Sequence, residues 1–125
     1  MATGTPIGST ISLTATGAAT AAVTLTIPAP AAATFQYVTW IEITHFRTAI
    51  LVAAAVPVVV TTTNLNGNPS FDFPADAGLQ GVVTRVQIAP DIPIKGSVAA
   101  TAITVVCPAT TNVIWRVSAL WFVGP

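Results

Sequence analysis

The chain has 125 residues, enough for one domain with a sizeable core, and only eight are charged, four basic and four acidic, for a formal net charge of zero. Soluble domains average about 25% charged residues, so this chain lacks both the ionic surface that keeps monomers apart and the basic stripe that phosphates require, which excludes direct nucleic-acid binding. A single cysteine excludes an intrachain disulfide, and the abundance of Thr, Val, Ile and Ala, with ten prolines and eight glycines scattered along the chain, predicts many short strands broken by turns.

Residues 1–9 carry no core pattern and read as an extended amino-terminal arm, in which Pro6 and Ile7 are candidate contacts with a neighbour. The domain proper is expected over 10–125. The amino terminus lacks the basic and apolar regions of a secretory signal, which points to synthesis and assembly in the cytoplasm. Ile11, Leu13 and Ala15 alternate with Ser12, Thr14 and Thr16; after a turn at 17–20, Val23, Leu25 and Ile27 alternate with Thr24 and Thr26 as far as Pro28. This period of two predicts a hairpin with one apolar and one threonine face. Threonine favours extended backbone and offers a hydroxyl to water or a neighbouring chain without a charge, which suits a wet, uncharged interface.

After a small-residue connector at 28–33, residues 35–46 form the longest predicted strand. Tyr37, Thr39, Ile41, Ile43 and His45 share one parity and are assigned to the core, while Gln36, Val38, Trp40, Glu42, Thr44 and Phe46 share the other. The apolar run at 49–60 is too short for a membrane helix of about 20 residues and contains Pro57, so no membrane partner is expected. Within it Ala53 to Ala55 could form a helical turn, and 56–63 predicts a strand. Asn64-Leu65-Asn66-Gly67-Asn68-Pro69 is the strongest turn signal. Beyond it Phe71 and Phe73 flank Asp72, 82–88 is a strand carrying Arg85, 91–96 is a connection or edge, and 100–106 with 113–123 form a final pair. Eight or nine short strands at this spacing indicate an all-β sandwich or barrel.

No arrangement of residues announces catalysis. His45 is the one histidine, the spacings of zinc ligands are absent, and no serine stands in a G-x-S-x-G context. No catalytic residue, cofactor or metal site is therefore expected. Asp72 and Asp76 flank a loop but lack the run of oxygen ligands of a calcium site, and they read as solvated acids or as partners for Arg85 or Lys95. Cys107, flanked by apolar residues, reads as a core residue. Trp115, Val117, Ala119 and Trp121 fall on one strand face, while Arg116, Ser118, Leu120 and Phe122 fall on the other. One of these faces packs the core, with Arg116 paired to a carboxylate such as Glu42. The other can meet a neighbouring subunit, since aromatics and arginine concentrate at interface centres. Trp40, Arg116 and Phe122 join Pro6 and Ile7 as candidate interface residues.

The segments Val56-Pro57-Val58-Val59-Val60-Thr61-Thr62-Thr63-Asn64-Leu65, Pro69-Ser70-Phe71-Asp72-Phe73-Pro74-Ala75-Asp76 and Thr104-Val105-Val106-Cys107-Pro108-Ala109-Thr110-Thr111-Asn112-Val113-Ile114-Trp115-Arg116-Val117 resemble small structural proteins of tailed bacteriophage virions, of the head decoration or capsid cement type. The resemblance implies a single antiparallel β-sandwich of jelly-roll type on the capsid exterior. It also implies a homotrimer bound to the major capsid protein, bridging its subunits, with no catalytic residue. Similar sandwiches serve in tails and fibres, and surface aromatics could stack on sugars. A phage tail, fibre or glycan-binding and receptor-binding β-sandwich domain is therefore the alternative.

Overall fold

The computed structural model describes residues 7–49, 57–73 and 80–125, with burial described from residue 10 onward. Along these segments run β1 (Ile7–Thr16), β2 (Val23–Ile27), β3 (Phe35–Arg47), β4 (Val58–Thr63), β5 (Phe71–Phe73), β6 (Val83–Ile88), β7 (Ile94–Lys95), β8 (Ile103–Cys107) and β9 (Val113–Gly124). They form two antiparallel sheets, one ordered β1-β9-β3-β6 with β7 also paired to β3, the other ordered β2-β8-β4-β5. The expected all-β sandwich of short strands is present. The helical turn considered at Ala53 to Ala55 lies outside the described residues.

The pairing is nested: β1 pairs β9, β2 pairs β8, β3 pairs β6 and β4 pairs β5. The chain is thus one long antiparallel ribbon folded back on itself, with its tip at residues 64–70. Rolling that ribbon brings β9 onto β3 and β8 onto β4, which closes the two sheets. This is the strand order of a jelly roll. It corrects two expected pairings, for β1 and β2 do not form a hairpin, nor do β8 and β9. Each consecutive pair is split between the sheets because the corners at 17–22 and 108–112 carry the ribbon from one layer to the other. Alternation along a strand fixes which side chains face inward but says nothing of the partner strand.

At the tip, Asn64, Gly67 and Asn68 take positive φ, the backbone state that Asn and Gly tolerate best. The Asn64 side chain accepts from the Val98 amide at 2.8 Å and donates to the Thr101 carbonyl at 3.0 Å. Leu65 is buried beneath this loop and bridges to Gly96.

The inward side chains interleave between the sheets. Val23, Leu25, Ile27, Val60, Phe71, Phe73, Ile103, Val105 and Cys107 face Val38, Ile41, Ile43, Val113, Trp115, Val117, Ala119 and Trp121. Each large aliphatic or aromatic side chain so buried contributes roughly 1.5–3 kcal/mol. The even alternation of β2, β8 and β9 follows the sequence.

The strand β3 departs from its expected parity. Gln36 and Val38 are buried, then Ile41, Ile43 and His45, and the switch falls where the β3–β9 register slips between Val38 and Trp40. An extra residue in one strand is a β-bulge, and it moves every following side chain to the opposite face. The core assignment of Ile41, Ile43 and His45 stands, whereas Tyr37 and Thr39 do not belong to the core and Gln36 and Val38 do. Buried Gln36 donates to the carbonyls of Pro28 at 2.9 Å and Thr101 at 2.8 Å, tying two loops to the sheet.

Candidate interface

The bulge in β3 builds the outer face of the larger sheet. Past it, Trp40, Glu42, Thr44 and Phe46 point away from the core, and the register lays them beside Leu120, Ser118, Arg116 and Ile114 of β9. Before it, Tyr37 lies opposite Phe122, and the two rings stack at 5.2 Å with a 6° interplanar angle. Lys95 of β7 places its ammonium 3.9 Å over the Phe35 ring, a cation–π contact that brings a charge to the aromatic group. Gly124 leaves the space the Tyr37 ring needs, since a Cβ there would sit 3.1 Å from that ring. The Tyr37 hydroxyl donates to the Pro125 carbonyl.

Three of the expected interface residues, Trp40, Arg116 and Phe122, therefore share one face. Trp40 and Phe122 are half-buried at its aromatic end, and Arg116 is exposed at its polar end, between Thr16 and Thr44. Ile7 begins β1 opposite Val123, so the last three residues of the expected arm run within this strand; Pro6 lies outside the described residues. Glu42 is engaged by Arg85, with Nε to Oε1 at 3.4 Å, and not by Arg116. Arg116 lies opposite Thr44, one pair along from Glu42. So exposed an ion pair adds about 0–1 kcal/mol. The sequence missed Tyr37 and Lys95 as members of this face, because only the bulge turns Tyr37 outward and only the fold brings β7 to it.

The outer face of the smaller sheet is built from threonine. Thr24 and Thr26 of β2, Thr104 of β8, and Thr61 and Thr63 of β4 share it with Val59 and Val106, in register across three strands. The hydroxyls of Thr63 and Thr104 hydrogen-bond to each other across the strands. Asp72 on β5 is exposed, one acid at the edge of an otherwise uncharged surface. Asp76 lies outside the described residues, and among the described residues no three His, Cys, Asp or Glu side chains come together as a metal site.

The two side chains best suited to nucleophilic or acid–base chemistry lie inside the sandwich. His45 is fully buried, stacked 5.6 Å from Phe73 and edge-on to Trp115 at 5.0 Å. The Trp115 indole donates to the Pro108 carbonyl at 2.9 Å. Cys107 is fully buried as well, and burial pushes its thiol from 9.0 up to about 12, away from the reactive thiolate. The chain matches no family model, no curated protein and no solved structure.

Proposed function

We propose that this chain is a non-enzymatic virion structural protein of the head decoration type, one that binds the outer capsid surface and stabilises the head by bridging capsid subunits. The observation that carries the reading is the broad, uncharged threonine and valine face of the smaller sheet, bordered by Asp72 at its edge. The outer face of the larger sheet combines Tyr37, Trp40, Leu120 and Phe122 with four charges, Glu42, Arg85, Arg116 and Lys95. Covering the threonine face requires little desolvation of charge, so burial of its apolar atoms is retained as binding free energy. A copy that touches two or more capsid subunits gains further through effective concentration, which turns modest contacts into durable attachment. The burial of His45 and Cys107 favours a structural role over a catalytic one. The jelly roll hosts viral capsid domains among others, which is support by analogy of fold alone. On this reading the major capsid protein is the partner, the chain associates with itself, and it resides on the capsid exterior.

The stacked Tyr37 and Phe122 beside Trp40 favour a second reading, a tail, fibre or receptor-binding domain that stacks sugars on those rings, because lectin domains also use this fold. Density-gradient fractionation of a lysate of producing cells, with the chain followed by mass spectrometry, tests the first reading. Co-migration with DNA-filled capsids is expected, and recovery with the soluble fraction or with tails alone would overturn it. Binding on a glycan array that disappears in Trp40→Ala would establish the second.

A further inference from the structure

Among the described strands at the edges of the two sheets, β1 stands apart. A sheet edge exposes a row of unpaired amide and carbonyl groups, and proteins guard such edges by shortening them, charging them or bending them away. The edge strand β5 has three residues and carries exposed Asp72, β6 carries exposed Arg85, and β7 has two residues, one of them Lys95. The five-residue β2 is uncharged and ends at Pro28, but its inward side chains Val23, Leu25 and Ile27 are all buried, leaving nothing apolar to cover. In contrast β1 (Ile7–Thr16) has no charge or proline; its register with β9 slips between Ile7 and Ile11 and is continuous over Ile11–Thr16, and among the described residues only β9 pairs with it.

Its inward parity is also unfinished. Ile11, Leu13 and Ala15 lie opposite the buried Trp121, Ala119 and Val117 of β9, on the core side of the sheet. Ala15, near the corner, packs against the core, but Ile11 is 44% exposed and Leu13 38% exposed. These are apolar side chains on the face that the second sheet should cover, at a strand whose free edge accepts only another extended chain.

We propose that the occupant is a second copy of this chain, joined β1 to β1 in antiparallel fashion about a two-fold axis normal to the sheet. Such an axis keeps core side with core side and makes the contact self-complementary. With Ser12 opposite its own counterpart, Ile11 of each copy lies opposite Leu13 of the other, so the two exposed apolar side chains of each protomer cover those of its mate. Cross-strand pairs of this kind are the unit by which sheets are stabilised. No like charges meet, because β1 has none. The two larger sheets become one continuous sheet, leaving the threonine and aromatic faces open. The inference does not rest on the decoration reading, and it differs from the homotrimer that the resemblance implies.

Sedimentation of the full chain at micromolar concentration, together with cross-linking, tests it. The wild type is expected at twice the protomer mass, or an even multiple, and Leu13→Lys at the protomer mass with an unchanged circular dichroism spectrum. Opposed Cα atoms in an antiparallel pair stand about 4.5–5.5 Å apart, within the span of a disulfide. Ser12→Cys should therefore form a covalent dimer under mild oxidation, while Gln87→Cys on the opposite edge should not; buried Cys107 does not compete. A wild-type monomer or trimer, or Ser12→Cys cross-linking no faster than Gln87→Cys, overturns the proposal. Should Leu13→Lys fail to fold, the cysteine pair decides. A trimer that still migrates with capsids would remove the two-fold pair and leave the decoration reading standing.

Discussion

His45, Phe73 and Trp115 form a group of rings at the centre of the sandwich, with Phe73 and Trp115 edge-to-face at 5.0 Å and an 83° angle. Such pairs add to the apolar area they bury, so Trp115→Ala is expected to cost roughly 3–5 kcal/mol and to lower the urea midpoint accordingly. A loss below about 1 kcal/mol, the size of an ordinary surface substitution, would contradict this placement. Cys107 makes stability depend on alkaline pH. Its thiol titrates near 9.0 when solvated and near 12 in the fold, so the unfolded chain releases the proton first. The stabilisation is whole below pH 9 and is lost as pH rises toward 12, at about 1.4 kcal/mol per pH unit. Urea midpoints of the wild type and of Cys107→Ala, measured from pH 8 upward, should converge above pH 9; parallel curves would show that the thiol does not control this slope.

At the scale of the element, the bulge in β3 decides which residues meet a partner. Deleting Thr39, the residue left over in the slipped register, would restore a single parity along the strand on which Gln36, Val38, Ile41, Ile43 and His45 all still face the core. The deletion is expected to keep cooperative unfolding and near-ultraviolet dichroism, and loss of both would show that the core needs the bend of the bulge and not only its change of parity. The same bulge marks how far sequence patterning reaches. Threonine alternation in β2, the aliphatic parity of β9 and the Asn-Gly tip were legible because each is set by local chemistry, either side-chain period or backbone preference. The inward turn of Gln36 and the outward turn of Tyr37 were not, because a bulge leaves no compositional trace in a strand already mixed on both faces. Sheet partners were equally illegible, since the same alternation serves any neighbour. Of the candidate interface, Trp40, Arg116 and Phe122 could be placed on one face only through the β3–β9 register.

For the whole molecule, the small number of charges sets the terms of association. Exposed ion pairs weaken as salt shortens the Debye length from about 10 Å at 0.1 M to about 3 Å at 1 M, and this chain has few to weaken. Self-association should therefore persist across that range, and dissociation by moderate salt, read by sedimentation, would show that ionic contacts hold the assembly. The decoration reading makes the stronger claim, that these sheet faces are covered by a capsid. Cryo-electron microscopy of particles from producing cells tests it most directly. The account predicts density for a single 125-residue jelly roll on the outer capsid lattice, each copy touching more than one capsid subunit. Density confined to a tail or fibre tip, or particles without the chain, would contradict it.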